Sequence, residues 1–421
     1  MLIGFMRNSR QPTKLAHFTA MLCMCHRIEL IYIHPYDVDV NANMVEGKLF
    51  KHNTWVPVRT QLPPFIDIDP YCFHKKSKPI MNYLRVKTIL SYDKKNSLNK
   101  SKLQKELKKD GQFSHLVLPT ARIKSLADIE TYLEKYSSIV IKPVYGEKGK
   151  GVYLLHSKEN ENTYILQYRK DEKTLTKEGL RRFFENKIQN KKYIVQKYVT
   201  SRTIQGDPFD CRIHVQKNGQ GEWCIAKMLI RIGIGQKVIS NVNQGGGISE
   251  VEPFLKANFG DNWDTIMDKL TELGKTLPYK IEAVKQTPIM TMGLDVGIDH
   301  DGQLYLFESN GSPTTDPLLA ESAILRTEYY KYVIETKLKP ARDFVQMAEF
   351  SSETGYLAKE INQLKENYNQ LEKEKSYYEK KYLSIENSRS WRLTKPARRV
   401  GSVVKRIFRK VILENIIFFY S

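Results

Sequence analysis

Short runs of apolar residues, separated by turns and amphipathic segments, make up most of this 421-residue chain. Residues 1–90 carry short strand-like runs, such as Leu2–Met6 and Ile28–Ile33, and predict a small α/β domain. Residues 91–200 mix strand and helix patterns, and residues 201–345 favour longer strands. The predicted fold class is therefore α/β (α+β).

Individual helices and strands are predicted in the middle of the chain. Ser125 precedes an amphipathic run and Asp128 stands three positions later, a capping-box pattern that begins a helix over Ser125–Tyr136. A second helix is expected near Trp263–Leu277. The other predictions are a helix over Leu98–Lys109 and strands over Leu116–Pro119, Ile139–Pro143 and Val152–His156.

A heptad pattern occupies residues 350–385. Apolar and aromatic residues recur at alternating steps of four and three, and only Lys375 interrupts them. This register predicts a coiled coil, with a parallel homodimer as the simplest assembly and a trimer left open. The heptad positions are Leu357, Ile361, Leu364, Tyr368, Leu371, Lys375, Tyr378, Tyr382 and Ile385.

Residues 386–421 have the pattern of a basic amphipathic tail. Between Ile385 and Glu414 there are nine Lys or Arg residues against two Glu. Basic residues interleaved with apolar ones, together with Trp391 and Phe408, indicate a segment that lies in an anionic membrane interface. A basic helix that docks on a partner protein stays the alternative. Nucleic-acid binding is not favoured, because no aromatic platform accompanies the basic residues.

The composition excludes several other classes of protein. The hydrophobic share of 41% and the charged share of 27% are typical of a soluble globular protein. No run approaches the roughly 18 apolar residues of a membrane span, and the N-terminal residues lack the pattern of a signal peptide. The expected location is cytoplasmic, with peripheral attachment at the inner face of the membrane through the tail.

Cysteine usage and net charge narrow the candidate chemistry. The five cysteines include no C-x-x-C pair, which argues against a zinc ribbon or a disulfide framework. The formal net charge of +20 suits anionic partners such as nucleotides or an anionic surface.

The segment from Met292 to Asn310 predicts a β-hairpin with a polar face. Two strand-like runs flank Asp301-Gly302, a dipeptide that favours a two-residue turn. With that turn, Asp295 lies directly opposite Glu308, Asn310 shares their face, and Leu294, Val296 and Phe307 occupy the opposite face. Opposed carboxylates repel unless a cation lies between them, so the pair indicates a divalent metal site; a solvent-facing pair neutralised by lysines is the alternative.

A second hairpin combines glycines with lysines. The apolar strand Ile139–Pro143 ends in Lys142-Pro143 and is followed by a loop containing Gly146, Lys148, Gly149 and Gly151. Glycines let backbone N–H groups approach phosphate oxygens, and a lysine at a strand end can reach a phosphate as a point charge. The spacing differs from that of a P-loop.

Three further segments offer polar groups. The strand Tyr193–Val199 has a backbone suited to an adenine edge, and Asp210, Arg212 and His214 alternate along another strand. Arg212 can fork onto a phosphate or carboxylate, and a ladder of surface ion pairs is the alternative reading. Arg231 follows on the next strand, and Asn241 opens a second glycine loop.

Five elements follow one another along the chain in an order that resembles the ATP-grasp fold. They are the Lys-Pro strand, the glycine loop, the Gln-Lys-Tyr-Val strand, the Asp-x-Arg strand and the Asp…Glu-x-Asn hairpin. Within that superfamily the chain is similar, over about residues 80–330, to the YheC/YheD-like family of endospore-coat-associated proteins. One departure concerns Ser309 and Ser312, which flank Asn310 where relatives more often have a Val-Asn-Ser-Lys-Pro-like stretch. This departure affects the acceptor side rather than the metal.

The resemblance implies a division and a set of site residues. Residues 91–200 correspond to the lid subdomain, and residues 201–345 to the catalytic subdomain with the metal hairpin. The cofactors implied are ATP and Mg²⁺ (or Mn²⁺), with Asp295, Glu308 and Asn310 as metal ligands. Arg212, Arg231 and Asn241 correspond to residues beside the γ-phosphate or acceptor. The residues implied to bind ATP are Lys100 (with Lys94, Lys95 and Lys102 as competitors), Lys142, Gly146, Lys148, Gly149, Gly151, Gln196, Lys197, Val199 and Asp210.

The activity implied is that of an ATP-dependent carboxylate–amine ligase that acts through an acylphosphate on a small-molecule or polymer acceptor. Modification of a cell-envelope polymer or of the spore coat is the expected setting, and the segment Asn387–Arg399 is similar to the tail of bacterial surface-polysaccharide glycosyltransferases. The alternatives are a non-catalytic ATP-grasp assembly protein of the coat or envelope, and an ATP-grasp kinase.

Overall fold

A computed structural model describes residues 1–94, 100–144, 150–158, 163–235, 246–338, 363–366, 368–377 and 380–381. The chain divides into two compact units, Met1–Asp343 and Phe344–Ser421. Helices and sheets both contribute to the first unit, so the predicted mixture of α and β structure is confirmed.

The α-helices of the first unit are spread along the chain between its strands. They are α1 (Lys14–Cys25), α2 (Lys78–Lys87), α3 (Lys100–Lys109), α4 (Leu126–Tyr136), α5 (Lys177–Phe183), α6 (Val251–Phe259), α7 (Trp263–Lys285) and α8 (Leu319–Val333).

The first sheet has seven strands in the order β3-β4-β2-β1-β6-β7, with β5 paired to β4. Strands β1, β2, β6 and β7 run parallel, and α1 forms the crossover between β1 and β2. These strands are nearly continuous apolar runs because both faces of a parallel sheet are covered. The strands are β1 (Leu2–Met6), β2 (Glu29–Ile33), β3 (Val38–Asp39), β4 (Met44–Lys51), β5 (Thr54–Gln61), β6 (Phe65–Ile68) and β7 (Ile89–Leu90).

Helix α8 joins this first sheet although it lies more than 300 residues from β1 in sequence. Its Ala323, Tyr330 and Val333 are buried in one apolar cluster with Ala16 and Ala20 of α1. The first sheet is therefore covered in part by a helix that follows the last strand of the chain.

The second sheet has six antiparallel strands in the order β12-β11-β10-β9-β13-β8. Helices α4 and α5 pack on it through Ile129, Leu133 and Leu180. Helix α4 begins with the predicted capping box, in which Ser125 and Asp128 exchange hydrogen bonds with each other's backbone N–H. The strands are β8 (Thr120–Arg122), β9 (Ser138–Pro143), β10 (Tyr153–Lys158), β11 (Thr163–Tyr168), β12 (Asp171–Thr176) and β13 (Tyr193–Lys197).

The prediction of a strand over Leu116–Pro119 is wrong. A 3₁₀ turn covers Ser114–Leu116, and the strand begins only at Thr120. Leu116 and Leu118 are buried through tertiary packing of this turn, so their apolar character reflects burial in a turn rather than a strand period.

The third sheet has five strands in the order β16-β15-β14-β17-β18. Helix α7 covers one face through Ile266, Leu270 and Leu277, and the strands bury alternate residues against it. This helix continues past the predicted end near Leu277 and contains Pro278, which is itself buried. The strands are β14 (Phe209–Lys217), β15 (Trp223–Ile232), β16 (Gly247–Ser249), β17 (Thr291–Ile298) and β18 (Leu304–Asn310).

The second unit is helical over the residues described in it, 363–366, 368–377 and 380–381. Three heptad positions, Leu364, Tyr368 and Leu371, are exposed there, at 45%, 49% and 63% of their accessible surface. The coiled coil and its homodimer both stay predictions. The tail over residues 386–421 lies outside the described residues. Where the structure is described, no helix has the length and apolar character needed to cross a membrane.

Candidate functional site

The predicted hairpin is formed by β17 and β18, and Asp295 pairs with Glu308 as predicted. The turn differs from the prediction. Asp299 pairs with Gln303 through a backbone hydrogen bond of 3.1 Å, and the N–H of Gly302 donates to the carbonyl of Asp299 at 3.0 Å. The connection is thus a three-residue loop with Gly302 at φ +73° rather than a two-residue turn.

A β-bulge restores the expected pairing. The register shifts by one residue between Asp295 and Val296, so that Val296 faces Leu306 and Phe307 is the extra residue. The longer turn moves the register by one position and the bulge moves it back. Two local departures from ideal geometry therefore cancel at Asp295.

The bulge also places Phe307 on the carboxylate face, so its prediction on the opposite face with Leu294 and Val296 is wrong. A Cβ atom built on Gly297, which shares the face of Asp295, would lie 2.0 Å from the Phe307 ring. The ring therefore lies directly over Gly297 and is half-buried beside Glu308. It supplies an aromatic surface next to the carboxylates. The alternation of residues in the sequence does not predict this position, because a bulge breaks the two-residue period of the strand.

Two arginines converge on Asp295 from neighbouring strands. Arg212 lies opposite Asp295 in the register of β14 and β17, and its Nε and Nη2 donate to the two carboxylate oxygens, the Nη2 bond being 3.1 Å long. Arg231 on β15 donates through Nη2 to Asp295 at 3.0 Å and forks onto Asp210 at 2.7 and 2.6 Å. The predicted site residues Asp210, Arg212, Arg231 and Asp295 thus form one ion-pair network across three strands.

Burial and charge set the electrostatics of this network. Burial alone would raise the pKa of Asp295, but Arg231 and Arg212 outweigh it and hold that pKa below its usual value. Burial disfavours the charged form of Arg231, yet Asp210 and Asp295 raise its pKa. Neighbouring His214 is neutral, because burial and the charges of Arg326 and Arg212 lower its pKa to about 3.

The hairpin residues fit a divalent cation by the chemistry of their donors. Asp295 and Glu308 are opposed, and the side-chain amide of Asn310 donates to Asp295 at 3.1 Å. Carboxylate and amide oxygens are the ligands that Mg²⁺ prefers.

Two consecutive side-chain hydrogen bonds hold Lys142 in the six-stranded sheet. Its Nζ donates to Oε1 of Gln196 at 2.7 Å, and Nε2 of Gln196 donates to the hydroxyl of Thr120 at 2.7 Å. Gln196 is only 3% exposed. The structure therefore brings together the predicted ATP-binding residues Lys142 and Gln196, with the amide serving to orient the ammonium group.

Strand β13 is paired on both sides, so its backbone groups form hydrogen bonds within the sheet, whereas an adenine edge was predicted to bind to this backbone. Residues 194–196 pair with β8, and residues 193–197 pair with β9. The side chain of Lys197, at the end of this strand, lies 6.0 Å from the centre of the Tyr136 ring. Val199 is 8% exposed, and its carbonyl accepts from the N–H of Ser201 at 2.8 Å. A role for these residues at the adenine stays a prediction.

Several predicted residues lie outside the described part of the chain, or their side chains do. Gly146, Lys148, Gly149 and Asn241 fall among the undescribed residues, as does the side chain of Lys100 at the start of α3. Gly151 is described and has φ +73°, and a Cβ there would lie 2.8 Å from the hydroxyl of Tyr193. This position therefore requires glycine for backbone conformation and for space.

A cavity of about 570 Å³ opens next to the hairpin. Gly311 and Ser312, which follow Asn310 directly, form part of its wall. The rest of the wall includes the ends of β1 and β6, the first turn of α1 and Arg326 of α8. Sequence analysis missed these wall residues, because they come from three distant parts of the chain.

Three of the described thiols are poor nucleophiles. Burial raises the pKa of Cys23 and of Cys72 to about 12 and also raises that of Cys211. His214 hydrogen-bonds to the hydroxyl of Thr291 at 3.1 Å and is 1% exposed. The polar face is therefore suited to binding charge rather than to forming a covalent intermediate with the protein.

Comparison with known proteins agrees with this geometry. The family described as "YheC/D like ATP-grasp" matches residues 89–337. The chain is 22% identical to the endospore coat-associated protein YheC of Bacillus subtilis (strain 168) over 341 residues, which is 78% of this chain and 93% of YheC. It is 22% identical to the endospore coat-associated protein YheD of the same strain over 291 residues, 66% of this chain and 63% of YheD.

Among solved structures, that of the D-cycloserine synthetase DcsG is 13% identical, with a TM-score of 0.46 and coverage of 78% of this chain and 99% of that one. The family match spans more than half of the present chain and contains the Lys142 strand, the arginine network and the β17–β18 hairpin. The chain therefore belongs to the YheC/D-like family of ATP-grasp domains.

Proposed function

We propose that this protein binds ATP with Mg²⁺ (or Mn²⁺) and joins a carboxylate to an amine through an acylphosphate. The observation that carries the proposal is the polar face of the third sheet, where two arginines and the opposed pair Asp295–Glu308 lie beside a cavity. Such a face can hold a nucleotide phosphate at its charged groups while an organic substrate occupies the adjoining space.

The arginines would bind charge that develops during phosphoryl transfer. Arg212 and Arg231 use Nε and Nη2 for Asp295 and Asp210. Within the described part of the chain, neither Nη1 takes part in these pairs, and the side chains are 14% and 16% exposed. Each guanidinium is thus fixed on one edge and can donate to a phosphate or carboxylate from the other. A bound Mg²⁺ would supply additional positive charge beside the phosphate oxygens.

The reaction balances without a nucleophile from the protein. A carboxylate oxygen of the substrate attacks the γ-phosphorus, and the bond from that phosphorus to the β–γ bridging oxygen breaks to release ADP. The amine nitrogen then attacks the acyl carbon, and inorganic phosphate leaves with the electron pair of the C–O bond. The amine proton passes to phosphate or water.

Nucleotide turnover tests the proposal. Purified protein would be incubated with Mg-ATP and with pools of amino acids, amino sugars and envelope extracts, while ADP and phosphate are measured. A ligase gives ADP and free phosphate that depend on an acceptor. ADP with a stable phosphorylated product would instead identify a kinase. The absence of acceptor-dependent ADP release would contradict the ligase reaction and favour an assembly role.

Replacing Lys142 by Met should weaken ATP binding about tenfold, because an oriented ammonium group contributes roughly 1–2 kcal/mol to binding a charged phosphate. The Kd for a fluorescent ATP analogue measures the effect. Lys124→Met, which removes an exposed lysine ahead of α4, is the matched control and should leave the Kd unchanged. Equal Kd values for the Lys142→Met variant and the parent would exclude Lys142 from the nucleotide site.

A further inference from the structure

The cavity beside the hairpin is bordered by a buried cluster of charged side chains. Asp67, at 2% exposure, accepts hydrogen bonds from Arg326, from Tyr330 at 2.5 Å and from Arg7 at 3.3 Å. Two guanidiniums thus share one carboxylate. Burying a charge without a partner is costly, and Asp69 is a second carboxylate whose charge acts on Arg7.

Arg326 is the residue of this cluster that is best suited to bind an anion. The residue is 4% exposed and belongs to the wall of the cavity. Its Nε has no hydrogen-bond partner in the described part of the chain. A buried donor left without a partner typically costs about 1–3 kcal/mol, so an arginine in this state is suited to accepting a ligand.

Helix α1 adds to the positive potential at the same wall. Thr13 caps this helix, and Thr13, Lys14 and Leu15 all line the cavity. The first N–H groups of a helix have no partner within it, and its N-terminus carries a partial positive charge. The first turn of α1 contains no acidic residue that would offset this charge. Arg326, Arg7, Lys14 and the helix end therefore favour a carboxylate in this part of the cavity.

The part of the cavity nearest to the hairpin has the opposite character. Asp69 is half-buried there and accepts from the hydroxyl of Ser312 at 2.6 Å and from the N–H of Tyr71 at 2.7 Å. Among the described residues no Lys or Arg pairs with Asp69. Asp316, also in the wall, is exposed. The Asp69 carboxylate, in contact with Ser312 just beyond the end of β18, favours a cationic ligand group.

We propose that this cavity binds a small amino acid, with its carboxylate toward Arg326 and Arg7 and its amino group at Asp69. This inference rests on the proposed ligase function and names the amine substrate of that site. The amino group would lie at the end of β18, next to the metal hairpin where an acylphosphate would form. Asp69 would hold the ammonium form on binding.

Binding measured without turnover tests the inference. Saturation-transfer NMR and calorimetry on the full-length protein would compare the common L- and D-amino acids with acetate and ethylamine, which carry only one of the two charges. The titrations would be run without nucleotide and with a non-hydrolysable ATP analogue and Mg²⁺. At least one amino acid should bind about tenfold or more tightly than either single-charge probe, since each added charged hydrogen bond contributes roughly 1.5–3 kcal/mol.

Three variants locate the ligand. Arg326→Lys and Asp69→Asn should each raise the Kd of that amino acid about tenfold or more, whereas Arg59→Gln, which alters an exposed pair on β5, should not. Asp69 is half-buried, so its variant stays informative if Arg326→Lys fails to fold. Amino acids that bind no better than acetate under both conditions, or that bind equally well to the Asp69→Asn protein, would overturn the inference.

The two proposals can fail separately. Acceptor-dependent ADP release without amino-acid binding would leave the ligase function standing and remove the amino acid as its substrate. Amino-acid binding at Arg326 and Asp69 without ADP release would leave the binding site standing and remove the ligase function.

Discussion

Acceptor-dependent ADP release should fall by at least about 100-fold when Glu308 is replaced by Gln, because losing a metal-binding carboxylate removes several kcal/mol of charge stabilisation in the transition state. Glu308 lies directly opposite Asp295 across the hairpin. Glutamine keeps the shape of the side chain and removes its charge. The variant should therefore fold normally and bind Mg²⁺-nucleotide more weakly.

Two measurements separate this effect from a loss of structure. The Mg²⁺ concentration that half-saturates binding of a fluorescent ATP analogue should rise in the Glu308→Gln protein, while the melting temperature stays close to that of the parent. Asp301→Asn is the matched control, because Asp301 lies in the same hairpin at its exposed tip. An unchanged Mg²⁺ requirement in the Glu308→Gln protein would remove Glu308 from the metal site.

The hairpin illustrates how far sequence reasoning reached. The pairing of Asp295 with Glu308 followed from a two-residue turn at Asp301-Gly302, yet the turn has three residues and a bulge at Phe307 compensates. The number of residues between two paired positions determines only the combined register shift of the turn and the bulge, not the shift of each. The separation of the two carboxylates could therefore be predicted, whereas the position of Phe307 required the structure.

Contacts between residues that are far apart in the sequence could not be predicted from the pattern of apolar and polar residues. The alternation of Asp210 and Arg212 predicts a shared face, and the structure confirms that they share it. Nothing in the order of residues predicts that Arg326 pairs with Asp67, a contact that spans 259 positions. Local periodicity reports the secondary structure and burial of one element, whereas the cavity depends on which elements meet.

This long-range contact has a direct consequence for stability. Replacing Asp67 by Asn should lower the free energy of unfolding by about 3–5 kcal/mol, because it removes the buried carboxylate to which Arg326 and Arg7 both donate. Urea denaturation followed by tryptophan fluorescence measures the loss, and Trp55 reports from the same sheet, where it packs 6.0 Å from Tyr32. Asp39→Asn is the control, since its pair with Arg59 is exposed and should cost less than about 1 kcal/mol.

The pH dependence of this loss identifies its origin. Burial would raise the pKa of Asp67, but Arg326, Arg7 and Tyr330 together hold it below its usual value. A carboxylate whose pKa is lower in the folded than in the unfolded state contributes its full stability above the unfolded pKa of about 3.9. That contribution is lost as the pH falls through the lower folded pKa. The stability difference between the parent and the Asp67→Asn protein should therefore be constant near neutral pH and shrink only below about pH 4. A difference under about 1 kcal/mol at neutral pH would contradict the cost of an unpaired buried guanidinium, and with it the electrostatic argument for an anion at Arg326.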